Sequence, residues 1–188
     1  MFTRISQANE TWFRAMAQDY DRDIPQGFPR VVVILHPGTY VVDDPVLPFR
    51  APNANDVPLS EEQTEAFEQV LLKVLGPKEQ CCVAFYAGYL RPEGIARIDT
   101  PEMTWVSGRL AYLLLQGELN ECLFSAVEKH WDPFLFLEVS YLWATDRSWV
   151  IALTPDTAHT VIGCDDALAE ALLQEPQLKA LDWTGRGL

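Results

Sequence analysis

The strongest local constraint in the chain is the stretch from Phe136 to Leu181, FLEVSYLWATDRSWVIALTPDTAHTVIGCDDALAEALLQEPQLKAL. Phe136, Glu138, Ser140 and Leu142 alternate with Leu137, Val139, Tyr141 and Trp143, so one face is almost wholly apolar and the other mixed. That period of two predicts a half-buried strand over 136–144. Asp146-Arg147 interrupts it, and Ser148 to Leu153 forms a second β-rich run. Two such runs across a short polar break predict a hairpin, with a longer loop or a bulge because the turn is not Asn-Gly. Pro155 ends the second run, since it has no N–H to give to a ladder. His159 to Gly163 predicts a third short strand, antiparallel to its neighbour because the connection is short. Asp165 or Asp166 then caps a helix carrying Leu168, Ala171 and Leu172 on its buried stripe, and Pro176 stops it. Leu178 and Leu181 are expected to tuck the tail back onto the core.

The rest of the chain supplies further elements. Ile5, Ala8, Trp12 and Ala15/Met16 share one face at helical spacing, which predicts a helix from Ser6 to Tyr20. Arg30 to His36 (RVVVILH) is a continuous β-branched run suited to a central strand. From Asp43 to Leu59 there are four Pro and two Asn with no periodicity, which predicts a long loop. Ser60 and Gln63 form an S-x-x-Q capping box, and Phe67, Val70, Leu71, Val74 and Leu75 give the following helix its stripe up to Gly76-Pro77. Its outer face is expected to carry Glu61, Glu62, Glu65 and Glu68. Strands are predicted over Cys81–Ala87, Ile95–Ile98, Thr104–Val106 and Arg109–Gln116, with a turn at Arg91–Gly94. Gly117 to Trp131 fits both periods and is read as helix. The fold class is α+β: a mostly antiparallel sheet with three to four helices packed on it, in a single domain over 1–188.

Trp143, Asp146-Arg147-Ser148-Trp149, Asp156, Thr160-Val161-Ile162-Gly163 and a capped helix ending in Glu175-Pro176-x-Leu178 together resemble the C-terminal part of a bacterial family of uncharacterised proteins. Tyr112 to Gly117 is similar to that family's preceding strand and glycine turn. The resemblance covers about the last 80 residues and implies an architecture without an activity. Cys164 stands where the family pattern has a second glycine.

Charge decides which partners are plausible. Asp and Glu total 27 against 14 Lys and Arg, a formal net charge of −13. Such a field repels phosphate backbones and anionic membranes and attracts basic proteins. Only four Lys are present, and basic-aromatic nucleic-acid patterns are missing. The N-terminus has no apolar segment of signal-peptide type, and runs such as Leu110 to Leu115 are too short to span a bilayer. Cys81, Cys82, Cys122 and Cys164 have neither disulfide-framework nor zinc spacing, so free buried thiols in a reducing cytoplasm are expected. Cys81 and Cys82, adjacent in a strand, point to opposite faces.

His36, His130 and His159 are the only histidines. His159 lies near Cys164 and Asp165-Asp166, but HExxH, HxH and CxxC spacings are all missing. Walker A, G-x-G-x-x-G and G-x-S-x-G motifs are missing as well. No catalytic, cofactor-binding or metal-binding residue is therefore assigned. The leading reading is a non-enzymatic acidic binding protein of the cytoplasm, of the toxin-neutralising immunity type. Its partner-binding residues would be Asp43, Asp44, Asp56, Glu61, Glu62, Glu65 and Glu68, and its partner a basic protein. One alternative is a small ligand-binding domain or enzyme with a pocket lined by Trp105, Trp143 and Trp149. The other is a structural or regulatory subunit.

Overall fold

A computed structural model describes residues 2–17, 27–44, 48–51, 58–89, 103–106, 110–123, 125–127, 139–153 and 157–186. In chain order the elements are β1 (Thr3–Arg4), α1 (Gln7–Met16), β2 (Arg30–Leu35), β3 (Tyr40–Val41), β4 (Phe49–Arg50), α2 (Glu61–Leu75) and β5 (Gln80–Tyr86). A 3-10 turn, Ala87–Tyr89, leads on to β6 (Met103–Val106), β7 (Leu110–Glu118), α3 (Leu119–Cys122), β8 (Val139–Ala144) and β9 (Val150–Ala152). The chain closes with β10 (His159–Cys164), α4 (Asp166–Gln174) and β11 (Ala180–Asp182). Nine strands form one sheet in the order β1-β7-β5-β8-β9-β10-β2-β11, with β6 also on β7. Every pairing among the described residues is antiparallel. The outer side of β7 is covered in tandem, β6 opposite Leu110–Leu113 and β1 opposite Leu115–Gln116. The fold is thus α+β with a sheet-dominated core, as the sequence pattern implies.

Both faces of the sheet are buried. On one face α2 and α4 pack over Val32, Ile34, Val83, Phe85, Leu142 and Ile162. The Ser60 side chain accepts the Gln63 N–H and the Gln63 side chain accepts the Ser60 N–H, so the capping box closes in both directions. Asp165 caps α4 by accepting the Leu168 N–H at 2.9 Å. On the other face α1 brings Phe13 against Tyr112, Tyr141 and Trp143, with ring centroids 5.1–5.3 Å away. Offset and edge-on pairs of this kind add about 0.5–1.5 kcal/mol each beyond their buried area.

Two-sided burial corrects the half-buried reading of 136–144. All six residues of β8 are buried, because β8 lies between β5 and β9 and under helices on both sides. Its strict alternation also fails. Ala84 faces Tyr141 but Phe85 faces Val139, a bulge that leaves Ser140 unpaired in the ladder. The Ser140 hydroxyl accepts the Tyr86 N–H at 3.3 Å. Val139 therefore joins Leu142 in one core instead of Tyr141 and Trp143 in the other. Residues 136–138 lie outside the described residues.

The hairpin forms as expected, with Tyr141, Leu142 and Trp143 opposite Ala152, Ile151 and Val150. A four-residue loop closes it, bounded by the Ala144 N–H donating to the Trp149 carbonyl at 3.2 Å. Arg147 takes the left-handed conformation in that loop, φ 69°. Its guanidinium donates to the Asn9 side chain and the Ala8 carbonyl, while the Asn9 amide donates to the Thr145 carbonyl. The hairpin tip is thereby fastened to α1.

Other expectations are revised. The first helix has Ser6 as its N-cap and ends at Met16, and 18–20 lie outside the described residues. Gly117 and Glu118 extend β7, and helix begins only at Leu119. Residues 125–127 are helical. The Asp43–Leu59 segment is not all loop, since Phe49–Arg50 pairs with Tyr40–Val41. Leu178 is buried, but Leu181 sits in β11, a strand along β2 that the short tail pattern did not announce. Gly163 is plain strand with the Phe28 ring over it, and an added Cβ would come within 2.5 Å of that ring, so the space left by glycine is filled by an aromatic side chain. The predicted turn at 91–94 and strand at 95–98 fall outside the described residues.

Trp149 is 3% exposed in the helix-covered core, and its indole N–H has no hydrogen-bond partner among the described residues. Trp149→Ala is expected to lower unfolding free energy by about 3–5 kcal/mol, whereas Trp149→Phe costs much less because no hydrogen bond is lost. Denaturant unfolding of both variants checks this, and an unchanged midpoint for Trp149→Ala would contradict the core assignment.

Candidate functional site

Of the acidic residues singled out by sequence, Glu61 and Glu62 open α2, whose first turn is bonded to the end of β2, and Asp43 follows β3. β2 leaves the sheet at His36, and Gly38, at φ 81°, turns the chain toward β3. The His36 N–H and the Thr39 hydroxyl both donate to the Ala158 carbonyl, at 3.1 and 2.9 Å, just before β10 begins. The Gln63 side chain, buried in the first turn of α2, donates to the Leu35 carbonyl at 3.1 Å. These bonds hold the β3–β4 ribbon and the N-terminus of α2 against the same strand ends.

At this end Glu61, Glu62 and Glu65 project from α2 and are exposed, as is Asp43 just after β3. Among the described residues no salt bridge engages any of these four. Asp44 pairs with Arg50 at 2.9 Å, and Arg50 is the only basic residue between His36 and Val70. Asp56 lies outside the described residues. Glu68 departs from the expected outer face. It is 8% exposed and accepts both the N–H and the hydroxyl of Ser125, at 2.8 and 2.7 Å. The helical period sets Glu68 on the flank of α2 beside Phe67, so its carboxylate caps the turn at 125–127 instead of facing solvent.

The histidines and cysteines are dispersed. His36 is buried with its Nε2 2.8 Å from the Thr160 hydroxyl, on the face covered by α2 and α4. His159 lies on the opposite face, its ring 4.5 Å from Phe49, whose ring is in turn 4.8 Å from Trp183. Burial first, and then His36, push the His159 pKa down to about 4. Cys164 ends the same strand on the other face, so His159 and Cys164 cannot act as a pair. Among the described residues no group of three or more His, Cys, Asp or Glu could hold a metal ion. His130 falls outside them.

The Trp-lined pocket is not assembled. Trp143 lies under α1, stacked on Phe13, and Trp149 lies in the core beneath α2 and α4, so the sheet separates them. The Trp105 side chain is outside the described residues. Sequence reading passed over Tyr40 and Val41, which are exposed by 52% and 44%. Their signal was an aromatic and β-branched pair placed after Pro37-Gly38 and before Asp43-Asp44, where a polar turn would be ordinary.

No family model, curated protein or solved structure matches this chain. Among the described residues no helix is long and apolar enough to cross a membrane.

Two measurements follow from the buried titratable groups. All four thiols are free and buried. Hydrogen bonding to Cys122 and then burial raise the Cys81 pKa, and burial pushes Cys82 and Cys164 up to about 12. Thiol titration without reductant is expected to find four groups in denaturant and almost none reacting in the folded chain. For His159, a folded pKa near 4 against the ordinary 6.5 means the unfolded chain takes up the proton first. Its contribution is therefore complete above pH 6.5 and is lost as pH falls toward 4, by about 3 kcal/mol in all. The gap in stability between pH 7 and pH 4.5 should narrow in His159→Phe, and an unchanged gap would contradict the assignment.

Proposed function

We propose that the chain is a non-enzymatic acidic binding protein that captures a basic protein partner, in the manner of a toxin-neutralising immunity protein. The observation that carries this reading is the set of exposed acids at one end of the sheet. Asp43, Glu61, Glu62 and Glu65 have no salt bridge among the described residues, in a chain of net charge −13. Uncompensated charge of one sign steers an oppositely charged partner over a distance of about a Debye length, roughly 8–10 Å at physiological salt. The acids sit on a helix and beside a ribbon that are both tied to the sheet, so the field has a fixed direction. The separation of Trp143 from Trp149 tells against a Trp-lined ligand pocket. The same reading places the chain in the cytoplasm, where buried thiols stay reduced, and extends the bacterial resemblance of the C-terminal part.

Steering has a kinetic signature. Reversing Glu61, Glu62 and Glu65 to Lys should slow association with a cognate basic protein by about tenfold or more at low salt and flatten its salt dependence, with little change in dissociation. Exposed helix charges contribute only tenths of a kcal/mol to folding, so the melting temperature should barely move. Association rates at two ionic strengths test this, and salt-independent capture by both proteins would reject the reading.

A further inference from the structure

Four thiols lie in the two cores, and the fold brings one pair of them together. Cys81 stands opposite Gly117 in the β5–β7 ladder, so its side chain leaves the sheet on the side where Gly117 would carry a Cβ. Gly117 has none, and the Cys122 sulfur lies 3.4 Å from where that atom would be. The Cys81 thiol donates to the Gly117 carbonyl oxygen at 3.7 Å. Both sulfurs are thus gathered over one glycine, in hydrogen-bonding contact with each other.

The chain path sets this up. β7 runs straight into α3, whose first residues return to the start of β5: the Leu119 and Asn120 N–H groups donate to the Glu79 and Pro77 carbonyls, at 2.8 and 3.1 Å. Cys122 is thereby folded back over Cys81. The other two thiols are held apart from the pair. Cys82 points to the opposite face. Cys164 shares the face, but β8 and β9 lie between β5 and β10, and strands are spaced about 4.8 Å apart.

Paired thiols inside an apolar core have a narrow chemistry. A lasting thiolate, or a metal held by thiolates, would put charge there, and among the described residues no group of three or more His, Cys, Asp or Glu could hold a metal ion. A disulfide is neutral. Closing from contact to a bond of about 2 Å needs a small shift. The four-residue helix α3 can supply it more readily than β5, which is paired on both sides.

We propose that Cys81 and Cys122 are an oxidation site, joined by a small peroxide into a disulfide that clasps α3 to β5. The Cys122 sulfur attacks one oxygen of hydrogen peroxide, the O–O bond breaks, and the departing hydroxide takes up the thiol proton as water, leaving a sulfenic acid. The Cys81 sulfur then attacks the sulfenic sulfur, the S–O bond breaks, and hydroxide leaves with the Cys81 proton as a second water. Two thiols are oxidised to one disulfide and one peroxide is reduced to two waters. Cys122 reacts first because opening of α3 uncovers it, whereas Cys81 is enclosed between β7 and β8. The reaction is therefore slow, in step with that opening, and does not involve the acidic surface.

The intact chain, fully reduced and desalted, is exposed to hydrogen peroxide under native conditions, then unfolded and alkylated. Free thiols should fall from the four of the reduced chain to two. Peptide mapping without reductant should find Cys81 joined to Cys122, with Cys82 and Cys164 alkylated, and dithiothreitol should restore all four thiols. Amide hydrogen exchange of Leu119 to Leu123 should slow by about tenfold in the oxidised chain, since the bond ties the helix down. Cys122→Ala, shown by thermal melting to be folded, should form no intrachain disulfide. The wild-type map and exchange decide the matter if that variant does not fold. Four thiols surviving prolonged exposure, linkage of any other pair, or sulfinic or sulfonic acid at Cys81 or Cys122 in place of the disulfide overturns the proposal. So does exchange at α3 that oxidation leaves unchanged, because the bond would then clasp nothing.

Discussion

Burial of one antiparallel sheet on both faces governs this molecule. Antiparallel sheets often leave one face to water, and their strands then alternate apolar with polar. Here β5 and β8 lie in the middle of the sheet, with helices above and below. Each residue must therefore fit one of two cores. Cys81 and Cys82 illustrate this: consecutive in β5, both wholly buried, one beneath the helix pair and the other in the aromatic layer under α1. Small, weakly polar thiols suit such positions, and polar residues are admitted only where a bond is ready, as with the Ser140 hydroxyl and the Tyr86 N–H.

The short helix α1 depends on that arrangement. Ten residues are marginal as an isolated helix. What holds α1 is Phe13 within an aromatic cage, together with the hairpin tip that Arg147 and Asn9 fasten to its first turn. Arg147 accepts a left-handed backbone there, a conformation uncommon outside glycine, and its side-chain bonds offset that cost. The aromatic layer and the loop conformation stabilise each other.

Charge is distributed unevenly along β2. At its start, Arg30 donates to both Asp166 and Asp182 at 2.9 Å, so acids at that end have a basic partner. At its finish, Arg50 pairs with Asp44 and the exposed Lys179 lies beside Leu35, but the exposed carboxylates of Asp43 and the first turns of α2 make no salt bridge among the described residues. Glu61 and Glu62 lie at the positive end of the α2 dipole, which compensates them locally without cancelling the field they project. The helix therefore tolerates clustered negative charge that would be unfavourable in its middle.

The elements legible in the sequence are those set by interactions within a few residues. The Ser60–Gln63 box, the Asp165 cap, the 141–152 hairpin and the opposed Cys81 and Cys82 all follow from side-chain reach or strand period, and all are present. Of the candidate site, the exposure of Glu61, Glu62, Glu65 and Asp43 agrees with helical period and loop composition. Tertiary structure decided the rest, because those outcomes depend on groups far apart in sequence. Glu68 turned inward because Ser125 waits there with two donors. Val139 changed face because the bulge opposite Phe85 shifts the register. The tail became a strand because β2 had an unpaired edge, and Ala180 to Asp182 could satisfy it. Local periodicity states which residues can be apolar or capped, whereas the partner that fills an unsatisfied edge or binds a carboxylate is chosen only when the chain closes on itself.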